Sequence, residues 1–326
     1  MRFLCVKVLE RVSAMSEIDA PGEEAAQSER RCGFVTVIGP TNAGKSTLVN
    51  ALVGAKVAIV SHKVQTTRAP IRGIAMEGNS QIIFLDTAGI FNPKRRLDRA
   101  MVDAAWGGLE DADAVLLVLD SAANFNDDVE GIIERLKAVR MPKIVVLNKI
   151  DRVEDKPKLL ELAKSLDERL SPDRVFMISA LDGQGVKDLR SYLAHLVPVG
   201  PWHYSEDDVT DVPMRTQAAE MTRESIYRFL HQELPYTTTV ETTDWKTLKD
   251  GSARVEQTIY VERDGQKKIV LGKGGETIKK ISSSARHAIE EMAGHRVHLF
   301  LFVKVRENWE SDPERYREMG LPFPKS

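Results

Sequence analysis

Two short runs, Gly39-Pro40-Thr41-Asn42-Ala43-Gly44-Lys45-Ser46 and Asn148-Lys149-Ile150-Asp151, constrain this chain more than any other feature. The first is a complete G-x-x-x-x-G-K-[ST] loop. Such a loop sits between a strand and a helix, aims backbone N–H groups at phosphates, and puts the lysine on the β- and γ-phosphates and the hydroxyl on Mg²⁺. Its flanks fit that context: Phe34-Val35-Thr36-Val37-Ile38 is β-branched and aromatic, and Thr47-Leu48-Val49-Asn50-Ala51-Leu52 is apolar-periodic. In the second run, the Asp151 carboxylate can accept from the N1–H and the 2-amino group of guanine at once. Adenine offers no such donor pair on that edge. The two runs together imply GTP, held at both ends.

Further stations lie between and beyond these ends. Ile82-Ile83-Phe84-Leu85 reads as a strand buried on both faces and delivers Asp86-Thr87-Ala88-Gly89-Ile90. Asp86 is placed for the Mg²⁺ shell, and the Gly89 N–H for the γ-phosphate, so loss of that phosphate would free the segment. Upstream, Gln65-Thr66-Thr67-Arg68 supplies a hydroxyl to complete the shell when GTP is bound, Thr67 first and Thr66 second. Ser179-Ala180-Leu181, after Val175-Phe176-Met177-Ile178, offers backbone amides to the guanine O6.

A chain of 326 residues is long enough for two domains with separate cores. Its formal net charge of −2 excludes a protein basic throughout, so any nucleic-acid surface must be local. Cys5 and Cys32 are the only cysteines, too few for a disulfide scaffold or a Cys-rich zinc site. No apolar run approaches the ~20 residues that span a bilayer. A reducing, cytoplasmic compartment is expected.

Residues 1–32 read as a tail outside any fold, with Met15 an alternative start and no uninterrupted apolar core of secretory length. From 33 to 199 strands (34–38, 82–85, 114–119, 143–147, 175–178) alternate with helices (45–53, 98–108, 127–139, 156–169, 185–196). Such alternation predicts an α/β domain with a mostly parallel sheet and ligands at the carboxyl ends of its strands. Pro, Gly and acidic residues over 200–212 mark a linker, residues 213–310 a second, α+β domain, and 311–326 a C-terminal tail.

In that second domain the expected order is α-β-β-α-α-β, with Gly272-Lys273-Gly274-Gly275 between two helices. A G-x-x-G turn there is the RNA-clamping element of a KH domain, because a sugar–phosphate backbone can approach the following helix start closely. Charge agrees: residues 266–306, which include Lys273, Lys279 and Lys280, hold nine Lys or Arg against three acids, a net of +6. The turn also coincides with a sheet that carries aromatics.

Over about residues 33–310 the chain resembles the Era GTPases. The shared features are the motifs above, joined to Glu233-Leu234-Pro235-Tyr236, Val270-Leu271-Gly272-Lys273-Gly274-Gly275 and Val303-Lys304-Val305-Arg306-Glu307-Asn308-Trp309. The resemblance implies a P-loop GTPase domain followed by a type II KH domain. It also implies a part in 30S subunit assembly, binding near the 3′ end of small-subunit ribosomal RNA, and peripheral association with the inner membrane. A monomer is expected. The N-terminal extension departs from the family pattern, as does Thr41 at a position where many members carry Pro.

The chemistry expected is slow. Ile90 stands where Ras-like enzymes place a water-orienting Gln, and an alkyl side chain can do no such work. Positioning by the loop, charge neutralisation by Lys45 and Mg²⁺, and the Gly89 amide remain. In related GTPases an Asn in the position of Asn42 holds a K⁺ ion between the phosphates; the other reading of Asn42 is loop stabilisation alone. A tRNA-modifying GTPase would need a further catalytic domain, for which the length leaves no room. A constitutive RNA binder with GTP as a structural ligand is the alternative to a switch.

Overall fold

Strand residues of the first domain send alternate side chains to two different cores. The computed structural model describes residues 29–309 and 312–324, so the expected tail and the Met15 start lie outside the described residues except at 29–32. Six strands, β1 (Arg31–Ile38), β2 (Ile71–Glu77), β3 (Ser80–Asp86), β4 (Ala114–Asp120), β5 (Lys143–Asn148) and β6 (Arg174–Met177), form one sheet in the order β2-β3-β1-β4-β5-β6. All neighbours run parallel except β2 with β3.

In β4, Leu116 and Val118 meet α1 (Lys45–Val53) and α5 (Val186–Leu196), while Val115, Leu117 and Leu119 face α2 (Arg96–Gly107), α3 (Asp127–Lys137) and α4 (Lys156–Leu170). A sheet covered on both faces needs apolar residues at every strand position, which explains the unbroken Val/Ile/Leu runs. The loops that carry Gly39–Ser46, Asp86–Gly89, Asn148–Asp151 and Ser179–Leu181 leave the carboxyl ends of β1, β3, β5 and β6, whereas Gln65–Arg68 lies between α1 and β2.

Two differences from the sequence reading stand out in the first domain, and the linker adds a contact of its own. β1 begins at Arg31, two residues inside the expected tail: Cys32 is buried, and the Arg31 guanidinium donates to the Val197 carbonyl at 2.8 Å. β2 was not expected at all. Its hairpin with β3 turns at Gly78-Asn79, but Arg72 and Gly73 break the apolar pattern, as suits an edge strand. The linker is not a free tether. The Ile74 N–H donates to the Val209 carbonyl at 2.9 Å, Thr210 bridges Gly73, and Arg72 pairs with Asp211 at 2.8 Å, so the linker covers the β2 edge.

The second domain has the expected element order: α6 (Met214–Phe229), β7 (Thr239–Thr247), β8 (Ala253–Val261), α7 (Asp264–Leu271), α8 (Glu276–Ala293) and β9 (Val297–Val305). Its sheet runs β7-β8-β9, antiparallel then parallel, with α6 and α8 sharing cores with it through Ile226, Ile281, Ile289 and Met221.

Within the region expected as a C-terminal tail, residues 312–321 are folded. Asp312 caps α9 (Pro313–Glu318), its carboxylate accepting from the Glu314 N–H at 3.0 Å. Trp309, Tyr316 and Leu321 are buried against Ala88, Leu97, Ala100 and Met101 of the first domain. Apolar burial of this size outweighs the entropy of ordering a short terminal segment.

Candidate functional site

The loop from β1 into α1 touches the β5 motif directly. Gly44 adopts φ 93 ahead of α1, and a Cβ there would lie 2.4 Å from Asn148 Nδ2, so only glycine permits the approach. Asn148 Nδ2 donates to the Ala43 carbonyl at 2.9 Å, and its Oδ1 accepts from the Ala180 N–H at 3.0 Å. One amide side chain thus joins three of the predicted motifs. Between them opens a cavity of about 480 Å³, lined by Asn42, Lys45, Ser46, Thr67, Asp151 and Leu181 among others.

Not every predicted residue presents its side chain. Ala43, Ala88, Ile90 and Ile150 are buried and have no polar side-chain group to offer, and the Ser179 hydroxyl is turned to Asp182. Leu181 is exposed at the rim. The Ile90 N–H donates to the Gly39 carbonyl at 3.0 Å, which ties the segment after β3 to the loop after β1. Asp120 and residues 61–63, which no motif contains, also line the cavity.

Three oxygens converge behind Lys45. Ser46 Oγ lies 2.7 Å from Asp86 Oδ2 and 2.9 Å from Thr67 Oγ1, and Thr67 Oγ1 lies 3.3 Å from Asp86 Oδ2. Asp86 Oδ1 is buried and has no hydrogen-bond partner among the described residues. A hard oxygen cluster with an orphaned carboxylate oxygen fits a Mg²⁺ ion. Thr66 turns away from this cluster, its hydroxyl donating to the Lys63 carbonyl at 2.8 Å. Burial pushes the Asp86 carboxyl up to about 6, against the pull of Ser46, Lys45 and Thr67. Burial likewise draws the Lys45 ammonium down to about 8, opposed by Asp86. Lys45 Nζ donates to the Pro40 and Gly39 carbonyls at 2.8 and 3.2 Å. Both charges sit in a site that an anionic, metal-bound ligand would complete.

The segment that carries Thr67 is held by the second domain, an arrangement with no sequence signal. Lys56 pairs with Glu224 at 2.6 Å, and the Val60 N–H donates to the other Glu224 oxygen at 2.9 Å. Lys63 donates to the Tyr227 and Leu230 carbonyls at the end of α6. Arg223 donates to the Thr66 carbonyl at 2.5 Å, and Ile59 packs in the second domain's core. Buried Arg68 donates to the carbonyls of Thr238, Tyr236 and Pro235 at 2.8, 2.9 and 3.2 Å.

In the second domain Gly272 (φ 74) ends α7, and a Cβ there would meet Thr277 Oγ1 at 2.3 Å. Gly274 (φ 61) has open space around its Cα, and Lys273, Lys279 and Lys280 are exposed. Lys280 pairs with Glu276 at 2.9 Å. A groove of about 430 Å³ runs beside the turn between α8 and β9, lined by Ile278, Lys279, Ser282, Arg286, Leu299 and Leu301. The sheet aromatics do not join it. Phe300 and Phe302 alternate with Leu299 and Leu301, so they point to the opposite face, where Arg254 lies over Phe300 at 5.0 Å.

Comparison with known proteins agrees with this architecture. A family model described as 50S ribosome-binding GTPase matches residues 34–149, and one described as KH domain matches 233–310. The chain is 61% identical over 303 residues to GTPase Era of Brucella suis biovar 1 (strain 1330), spanning 93% of this chain and 97% of that protein. It is 62% identical over 295 residues to GTPase Era of Rhizobium meliloti (strain 1021), spanning 90% and 94%. Among solved structures, Era in complex with MgGDPNP and nucleotides 1506–1542 of 16S ribosomal RNA superposes with a TM-score of 0.84 at 35% identity, covering 89% of this chain and 98% of that one.

Proposed function

This chain belongs to the Era family of GTPases, and from that membership we propose that it is a slow GTP hydrolase whose nucleotide state sets its grip on small-subunit ribosomal RNA near the 3′ end. By that grip it assists 30S subunit assembly and rRNA maturation. One observation carries the reading: residues 56–68, with Thr67 beside Ser46 and Asp86, are hydrogen-bonded to α6 and to the 235–238 turn of the KH domain. A segment that reports the γ-phosphate at one end therefore touches the RNA-binding domain at the other. The solved Era complex with a 16S fragment supports rRNA as the ligand class.

Each residue has a task in this scheme. Lys45 leaves the Gly39 and Pro40 carbonyls for the β- and γ-phosphates. The amides over Asn42–Thr47 and at Gly89 face the phosphates, and Asp151 reads the guanine edge. Ser46, Asp86 and Thr67 would hold Mg²⁺, which supplies neutralising charge at the phosphates. Ile90 can neither orient nor deprotonate water, which keeps unaided turnover slow. Asn42, at φ 60 on the cavity rim, is proposed to hold K⁺. Replacing K⁺ with Na⁺ then slows the parent, and Asn42→Ala removes the difference; equal rates for the parent in both salts would remove the ion. Lys273, Lys279, Lys280 and the Gly272–Gly275 turn grip RNA. We propose, from family membership alone, a cytoplasmic monomer with peripheral attachment to the inner membrane.

Titration of one labelled 3′-end rRNA fragment against the GTP-analogue, GDP and nucleotide-free forms tests the switch. The GTP-analogue form should bind about 5–150-fold more tightly than the GDP form. Identical affinities in all three would leave a constitutive RNA binder.

A further inference from the structure

Asp120 belongs to none of the nucleotide motifs, yet it ends β4 directly opposite Asn148 in the parallel register with β5. Its Oδ1 accepts from the Ala122 N–H at 3.0 Å, and its Oδ2 takes the Lys149 ammonium at 2.7 Å. Arg152 lies 4.0 Å from the same oxygen. Lys149 Nζ donates in addition to the Asn42 carbonyl at 2.5 Å. The backbone of Lys149 sits at φ 64, a region that a lysine rarely adopts. Its side chain therefore spans the base end of the cavity, anchored to the phosphate loop and to β4.

We infer that Asp120 is a positioning residue for the nucleotide: it fixes Lys149 so that the lysine stem forms one wall of the guanine site, and thereby slows nucleotide release. A lysine stem carries about four rotatable bonds, and its ammonium favours water over a cavity wall unless it is held there. Without the carboxylate, the ammonium keeps only the Asn42 carbonyl, and the stem loses one of the two anchors that fix its course beside the base. The bland reading is that Asp120 only closes a turn through the Ala122 N–H. Asp120→Asn separates the two, because an amide oxygen still accepts from Ala122 while the negative charge is gone.

The inference rests on the guanine-nucleotide reading, so fluorescent GDP release from the parent is the control; a parent that binds no GDP would sink that reading itself. For Asp120→Asn, release of fluorescent GDP should speed about tenfold, the size of one charge-assisted hydrogen bond. KM for GTP should rise while kcat at saturation stays within about twofold. Lys149→Met should speed release similarly, and the double variant should be no worse than either single one. The preference for GTP over ITP should not change, since Asp151 alone reads the 2-amino group. If Asp120→Asn loses cooperative melting, Asp120→Ser, which also accepts from Ala122, carries the same test. Parental release rates in the variant, or single losses that multiply in the double variant, would overturn the inference while leaving GTP binding intact.

Discussion

Tyr227 of α6 donates its hydroxyl to the Gln65 carbonyl, 3.0 Å away, ahead of β2. Gln65 stands at φ 56, and its side chain reaches the start of α2: Oε1 accepts from Arg95 at 2.8 Å and Nε2 donates to Asp98 at 3.2 Å. One residue thus joins the Thr67 segment, the start of α2 and α6. Tyr227→Phe removes only the hydroxyl, so both domains should keep their folds. We predict that the ratio of RNA affinities between GTP-analogue and GDP forms shrinks by about 2–10-fold, the worth of one hydrogen bond. The same RNA titration in parent and variant reads it, and an unchanged ratio would remove Tyr227 from the coupling route.

Arg68 is held differently. Its guanidinium is buried, fans across three carbonyls and lies 5.7 Å from the centre of the Trp309 ring, whose Nε1 donates to the Thr237 carbonyl at 3.0 Å. A planar fork can serve three acceptors, whereas an ammonium cannot reach all of them. Arg68→Lys should therefore destabilise the protein by about 2–3 kcal/mol. Calorimetric melting decides it. A variant melting with the parent would show that the carbonyls find other donors.

These interdomain contacts mark the boundary of what sequence could reveal. Gly39–Ser46 and Asn148–Asp151 were legible because phosphate and guanine recognition demand fixed residues at fixed spacing, and the structure brings both to one cavity. The KH element order was legible from Ile278, Ile281, Ala285 and Ile289 on α8 and the alternation along β9. β2 was hidden because an edge strand tolerates Arg72 and Gly73, although Gly78-Asn79 was a readable hairpin signal. The C-terminal helix carried its own start signal, Asp312-Pro313, but only Trp309, Tyr316 and Leu321 to bury, too few to show a period. Glu224 and Arg223 look like ordinary solvated charges on α6. Their packing against residues 56–66, which pairs Glu224 with Lys56 and Arg223 with the Thr66 carbonyl, is invisible in the sequence.

Base recognition yields a sharp test. Asp151 lines the cavity beside Ala180 and Leu181. Asp151→Asn exchanges an acceptor for a donor, which suits the 2-oxo group of xanthine. GTP affinity should fall and XTP become the preferred nucleotide in competition binding with GTP, ATP and XTP. Undiminished preference for GTP would show that another group reads the base.

Lys45 and Ser46 face the cavity and the Asp86–Thr67 oxygens, not a hydrophobic core. Lys45→Ala and Ser46→Ala should abolish hydrolysis and leave cooperative melting of both domains in place. Phosphate release from GTP measures the first, circular dichroism the second. Turnover at the parental rate in either variant would contradict the phosphate-loop assignment.

The first and the middle glycine of the KH turn should respond differently to substitution. Gly272 cannot accept a Cβ without striking Thr277, whose Oγ1 and backbone N would lie 2.3 and 2.8 Å from it, so Gly272→Ala should lower the melting temperature. Gly274, at φ 61, has no atom within 4 Å of a Cβ, and Asp tolerates that backbone region better than most residues. Gly274→Asp should therefore melt close to the parent, yet place a negative charge where the exposed Lys273, Lys279 and Lys280 would draw in a phosphate. RNA affinity should drop about tenfold or more in every nucleotide state, with the loss greater at low salt, while GTP affinity without RNA stays parental. Parallel titrations at two salt concentrations test this. RNA binding by Gly274→Asp equal to the parent's would move the RNA site away from this turn.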